Sequence, residues 1–329
     1  MTAAYGGGGI GLMGAGLYGL LRLEARQARR AIGTVPENPP GADGLYGPFT
    51  GEPISFAILG DSSAAGVGVD TADETPGALL AAGLAEVAER PVRLAVVAQS
   101  GAQTSDLAEQ VPLAIASRPD LALIIVGGND VTHRMRPAMS VRLLDEAVRR
   151  LRDAGAAVVV GTCPDLGTVE PIPHPLRWLV RRASRQLAAA QTVAVVEAGG
   201  RTISLGSILG PEFAAAPGHM FATDRFHPSA AGYAAAAAAV LPSAASALGL
   251  WDDREERPEL LRGDEVLPVA VAAAAAAEEA GTEVAGTEVA GHDRGPRGRW
   301  ARLRHRRRRQ LPEPEREDDF VEVGQAPRV

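Results

Sequence analysis

Between residues 53 and 250, short apolar runs alternate with longer amphipathic stretches, and this alternation predicts a repeating βα chain. Residues 54–59, 92–98, 121–126, 157–161 and 192–197 read as five strands. The third is apolar throughout, as a strand covered on both faces should be. Residues 75–90, 106–118, 139–154, 175–191 and 229–248 carry helical spacing. Strands separated by helices of this length pair in parallel through right-handed crossovers, so the expected architecture is a doubly wound five-stranded α/β sheet.

The rhythm fails at both ends. Residues 1–21 hold no charged side chain, and residues 10–21 form a Gly-rich apolar run followed by Arg22, Arg26, Arg29 and Arg30. Residues 1–30 are therefore expected to be a membrane anchor or export segment, with membrane association through residues 1–21. The alternative is a surface helix on a cytoplasmic protein. No positive charge precedes the run, and the arginines after it favour keeping the rest of the chain on the cytoplasmic side. Residues 31–52, with Pro36, Pro39, Pro40, Gly41, Gly44 and Gly47, read as a linker. Residues 251–329 contain an Ala-rich stretch, Ala-Gly-Thr-Glu-Val repeated at 280–284 and 285–289, an Arg run that includes 306–309, and an acidic end. Such a tail buries too little apolar surface to offset its ordering entropy and is expected to be disordered. Its Arg run reads as a solvated tail in preference to a lipid, nucleic-acid or partner patch.

Length and composition narrow the picture further. The 329 residues fit one folded domain, at 53–250, between dissimilar ends. A net charge of −7 argues against a general affinity for nucleic acid. Every basic residue is Arg; with so much Ala and Gly this reflects compositional bias more than a phosphate-binding device. Cys163 is the sole cysteine, which excludes an intrachain disulfide and a Cys-based zinc cluster. Oligomeric state is not encoded in any pattern here.

The chemistry lies in four blocks: Gly60-Asp61-Ser62, Gly101, Gly127-Gly128-Asn129-Asp130, and Asp224-Arg225-Phe226-His227. Three follow predicted strands and the fourth precedes the last helix, so an open parallel sheet gathers them at its carboxyl edge. A hydroxyl needs a base within hydrogen-bond reach before it can attack a carbonyl. His227 is the candidate base for Ser62, and Asp224, three residues away, the carboxylate that would orient it. The Ser62 amide, the Gly101 amide and the Asn129 side chain are candidate donors to a developing oxyanion. Each residue alone has an ordinary alternative as a cap, a turn residue or a surface histidine; together and in this order they favour catalysis. Asp61 and Asp130 are expected to hold loops. His133 reads equally as a cleft residue or a loop histidine, and Cys163 as a small core residue. Gly66-Val67-Gly68 lacks the third glycine of a dinucleotide fingerprint, no Walker A lysine exists, and no Gly-x-Ser-x-Gly elbow surrounds Ser62.

These blocks resemble the SGNH hydrolase (GDSL esterase/lipase) family, whose namesake Ser, Gly, Asn and His match Ser62, Gly101, Asn129 and His227. The Asp-x-x-His block matches Asp224 to His227, followed by Pro228 and Gly232-Tyr233. The resemblance spans residues 53–248. It implies a three-layer α/β/α, flavodoxin-like fold and ester hydrolysis through an acyl-enzyme, without metal or other cofactor, on a small-molecule or lipid ester. Ser63 stands where the family's motif has Leu, leaving two adjacent hydroxyls to distinguish. Two alternatives accompany the esterase reading: a deacetylase or acyltransferase acting on cell-envelope glycan or lipid, and a non-catalytic binding module.

Overall fold

The computed structural model describes residues 6–32 and 38–250. A six-stranded sheet runs through it in the order β1-β3-β2-β4-β5-β6, formed by β1 (Gly44–Tyr46), β2 (Ile54–Gly60), β3 (Val92–Val96), β4 (Leu121–Ile125), β5 (Ala157–Gly161) and β6 (Arg201–Ile203). The last five are parallel; β1 pairs antiparallel with β3 at the edge. Setting β1 aside, the parallel order is 2-1-3-4-5, the flavodoxin-like winding.

Strand β2 shows why the sequence builds layers. Ile54, Phe56 and Ile58 alternate onto one face, where they join Leu80, Leu84, Val240 and Ala244 from helices α3 (Pro76–Ala88) and α11 (Ala230–Ala247). Ala57 and Leu59 point the other way, onto Leu107, Val111, Leu144 and Val148 of α4 (Leu107–Ala116) and α6 (Pro137–Asp153). Helix α7 (Leu176–Glu197) packs beside α6 on that second face. Between them these helices cover both faces, giving three layers, α/β/α. By length and composition α11 could cross a membrane, yet it lies against α3 as a wall of this fold.

The structure differs from the sequence expectations at three places. Residues 192–197 are not a strand but the end of α7, and the fifth parallel strand is β6. No Gly or Pro interrupts residues 176–198, so a helix already under way gains one hydrogen bond per added residue, and the β preference of Val193, Val195 and Val196 is too weak to stop it. Gly199-Gly200 ends the helix. The segment read as a linker contains β1, whose neighbour Asp43 accepts a hydrogen bond from Val96 N–H at 2.9 Å; the sheet therefore has six strands where the sequence suggested five. Residues 33–37 of that segment, and the tail 251–329, lie outside the described residues.

At the start, α1 (Gly6–Ala31) is helical. Its later turns dock: Ala28 is in the core, and the buried Glu24 carboxylate accepts from Leu176 N–H at 2.9 Å. Leu17, Tyr18, Leu20 and Leu23 are exposed.

Candidate active site

Strand β2 delivers the first block through a tight crossing. At Gly60, φ is +133° and a Cβ would lie 1.8 Å from Ile125 O, so no other residue fits. Gln110, buried on α4, grips Gly60 from both sides: Gly60 N–H donates to its Oε1 at 2.8 Å, and its Nε2 donates to Gly60 O at 2.9 Å. Asp61 N–H donates to Ile125 O at 3.0 Å, tying the block to β4. The Asp61 carboxylate then accepts from Ser63 N–H at 2.9 Å and caps the short helix α2 (Ser62–Ala65), which fixes Ser62 at its first position. Burial pushes the Asp61 carboxyl up to about 6, against the opposing pull of the Ser63 amide and of His227.

The fourth block is a loop between Phe221 and Pro228, which form a single antiparallel bridge. The buried Asp224 accepts from the Phe226 and His227 amides at 2.9 and 3.0 Å through Oδ1. Its Oδ2 lies 2.6 Å from His227 Nδ1. With the Nδ1 proton donated there, neutral His227 presents Nε2 as an acceptor, and Ser62 Oγ lies 2.9 Å from it. Burial raises the Asp224 carboxyl, but the His227 side chain and the two amides outweigh it and hold the group below the ordinary carboxylate range. Tyr233, at the start of α11, donates to Val67 O at 2.7 Å, pinning the helix after this loop to the turn after α2.

The second block follows β3; the third follows β4, and its Asn129 lines the same cavity as Ser62. Gly101 has φ +81° and open space around its Cβ position, so its backbone conformation, not crowding, calls for glycine. Asn129, in α5 (Gly128–Thr132), donates one amide proton to Ala102 O at 3.0 Å, leaving the other free to donate. Buried Asp130 accepts from Thr104 N–H at 2.9 Å, from Thr104 Oγ1 at 2.5 Å and from Ser140 Oγ at 2.5 Å. The Gly101 and Asn129 loops are thus laced together. Asp61 and Asp130 both hold loops, as the sequence suggested.

The remaining candidates separate. His133 is exposed, with Nδ1 2.9 Å from Asn129 O. Cys163 is buried, and burial drives its thiol well above the usual range, away from nucleophilic duty. Gln110 and Gln191 were not singled out from sequence. Gln191 repeats the two-handed grip: Cys163 N–H donates to its Oε1 at 2.7 Å and its Nε2 donates to Val126 O at 3.0 Å, joining the ends of β5 and β4. Beside Ser62, Ser63 and Asn129 lies a cavity of about 110 Å³. Among the described residues no cluster of three or more His, Cys, Asp or Glu side chains could hold a metal ion.

Chemically, a hydroxyl bonded to an imidazole that is itself bonded to a buried carboxylate can carry out nucleophilic acyl transfer. Residues 58–235 match the family model described as GDSL-like lipase/acylhydrolase. The GDSL-like esterase Rv1075c of Mycobacterium tuberculosis is 41% identical over 248 residues, covering 70% of this chain and 78% of that protein. Among solved structures, TesA matches with a TM-score of 0.46 at 22% identity, covering 59% of this chain and 99% of its own. The acetyl xylan esterase Axe2 of Geobacillus stearothermophilus matches with a TM-score of 0.44 at 20% identity, covering 61% and 97%.

Proposed function

Because this chain belongs to the GDSL-like lipase/acylhydrolase family, a family of carboxylic ester hydrolases, we propose that it is a serine esterase working through an acyl-enzyme. The observation that carries the reading is the unbroken series Ser62 Oγ, His227 Nε2, His227 Nδ1, Asp224 Oδ2, at 2.9 and 2.6 Å. Ser62 Oγ attacks the ester carbonyl and passes its proton to His227. Asp224 holds the ring's orientation and balances the imidazolium. The oxyanion is met by the Ser62 and Gly101 amides and the second Asn129 amide proton. His227 then protonates the departing alkoxide. Water, deprotonated by the same ring, releases the acid and restores Ser62.

An ester panel run on the parent and on two variants tests this. Ser62→Ala should abolish turnover against every ester. Asn129→Ala should lower kcat by about 10²–10³ with little change in KM. Ser62→Ala turning over at the parent rate would defeat the proposal, and a KM that rises while kcat holds would remove Asn129 from the oxyanion site.

The substrate is a small-molecule or lipid ester. Membrane association through α1 belongs to the same proposal. Its support is the exposed apolar side chains Leu17, Tyr18, Leu20 and Leu23, with Arg22, Arg26, Arg29 and Arg30 among and after them to suit anionic headgroups. Deleting residues 1–30 should move the protein from the membrane fraction to the soluble one; a full-length chain recovered wholly soluble would exclude it.

A further inference from the structure

Resting on the membrane association proposed above, we propose that the exposed sides of α1 and of the first half of α7 form one docking surface for an anionic phospholipid bilayer, and that this surface sets the catalytic cleft beside the lipid. The two helices meet where Glu24 Oε2 accepts from the N–H of Leu176, the first residue of α7, at 2.9 Å. Ala28, one turn beyond Glu24, is buried in the core. From Glu24 onward α1 is therefore no loose tether; it lies along the domain. Trp178, in the first turn of α7, is 57% exposed. Leu20 and Leu23, within about one turn of Glu24 on α1, are 43% and 62% exposed. The one hydrogen bond thus brings together large apolar side chains from two helices whose bonded residues are 152 positions apart in the chain.

Charge says what covers this face. Residues 17–32 and 171–191 hold eight arginines, four on each helix, and one carboxylate, Glu24, in a chain whose net charge is −7. Glu24 is buried and engaged by the Leu176 amide. Arg22, Arg26, Arg29 and Arg30 are exposed on α1. Leu23, Arg26, Gln27 and Arg30, spaced i, i+3, i+4 and i+7, line one open hollow on that helix. Arg22 lies over the Tyr18 ring, 4.9 Å from its centre. On α7, Arg181 and Arg185 share the single carboxylate of Asp165, each at 3.2 Å, so positive charge is left over. Tyr and Trp rings set among arginines suit the headgroup level of a bilayer, with the rings in the interface and the guanidinium groups on phosphate. A second copy of this chain is a poor occupant, because a two-fold contact would lay each arginine row against its own repeat.

The surface adjoins the catalytic cleft from both helices. At the end of α1, Ala31 O accepts from Arg225, which lies between Asp224 and His227. Leu23 comes eight residues before Ala31, about 12 Å along the helix. Ahead of α7, Thr168 and Val169 line the cavity that also holds Ser62. Across that cavity stand Leu205, Leu209 and Phe213, from or beside the short helices α8 (Leu205–Ile208), α9 (Gly210–Ala215) and α10 (Pro217–Met220). Residues 205–220 carry no arginine and one carboxylate, Glu212. The basic charge is therefore on one side of the cleft, and docking by that side turns the ester's entrance toward the lipid.

The test mixes the full chain with vesicles of phosphatidylcholine alone, or of phosphatidylcholine with phosphatidylglycerol, and reads the bound fraction by flotation. Binding should require phosphatidylglycerol and weaken as salt is raised. Arg26→Gln combined with Arg30→Gln should weaken it about thirtyfold. Trp178→Ala, on the other helix, should weaken it about tenfold, and Trp178→Phe, which keeps a ring, much less. All of these side chains are exposed, so each variant should melt with the parent. Equal binding to both kinds of vesicle, or binding indifferent to the arginine and Trp178→Ala variants, overturns the docking surface while leaving membrane association through another segment standing. A full chain that floats with neither vesicle overturns both. A parent that sediments as a dimer, and as a monomer once Trp178→Ala is made, gives the face to a second copy and likewise overturns the proposal. None of these readouts uses turnover, so a failure of the esterase reading is registered separately.

Discussion

Asp61 occupies a position where a negative charge is costly, one residue before the serine that bonds to His227. It is fully buried, and its carboxyl titrates near 6 in the fold against an ordinary value of 3.8. A carboxyl whose folded pKa is raised loses stability as the pH climbs from the unfolded value to the folded one, because the native state must then ionise in a poorly solvated place. Two units correspond to about 3 kcal/mol. Asn in this position keeps an oxygen to cap α2 and carries no charge. Asp61→Asn should therefore melt at a higher temperature than the parent at pH 8, with the gap closing toward pH 4; a constant gap, or a lower midpoint at pH 8, would refute the burial argument. Asp224 has the opposite sign. Its carboxyl is held low, so its contribution is complete above the unfolded value and is lost as the pH falls through the folded one. Ser62, Asp224 and His227 were candidates from sequence because each block stands at a strand end or before a helix, with few residue types suited to the chemistry, and their side chains lie in one hydrogen-bonded series; the oxyanion roles of Gly101 and Asn129 belong to the proposed mechanism. Which of two adjacent hydroxyls faces the imidazole was not legible. It depends on the cap that Asp61 makes to Ser63 N–H, and that fixes which side chain turns inward.

At the scale of elements, two buried glutamines fasten strand ends that the backbone ladder alone would leave loose. Gln110 holds Gly60 and Gln191 holds Val126 and the Cys163 amide. Removing Gln110 deprives the buried Gly60 N–H of its acceptor and opens a cavity under the first block. Gln110→Ala should cost about 1–3 kcal/mol for the unsatisfied amide alone, read from denaturant unfolding. It should also lower kcat more than it raises KM, since the loss would misplace Ser62. A variant as stable as the parent would contradict the clamp. The signal for this residue was present in the sequence: Leu107, Gln110, Val111 and Ala114 share one helical face, so the amide falls among core residues. The strand expected at residues 192–197 was misread for the converse reason. Its valines suit either state, and the deciding fact is that the preceding helix has no terminator before Gly199. The edge strand β1 was missed because three residues among prolines and glycines carry no alternation; pairing with β3 makes it a strand.

Across the whole molecule, the parallel sheet turns sequence separation into proximity. Ser62 and His227 come from opposite ends of the domain and meet because β2, β4 and β5 all finish at one edge, with α11 returning from the loop that holds His227. The same edge receives α1: Ala31 O accepts from Arg225, which lies between Asp224 and His227 and sits in the left-handed region at φ +60°. The segment proposed to meet the membrane is thus physically joined to the loop that presents the imidazole. That gathering was legible from the βα rhythm, whereas the docking of α1 was not, since Glu24 and Ala28 form no pattern separable from an exposed helix. The proposed chemistry requires that Ser62 be the group acylated by substrate. The direct measurement is to trap the protein with a fluorophosphonate, digest it and map the adduct by mass spectrometry, alongside His227→Ala. One adduct is expected, on Ser62, formed quickly in the parent and strongly suppressed in His227→Ala. An adduct on Ser63, or labelling indifferent to His227, would contradict it.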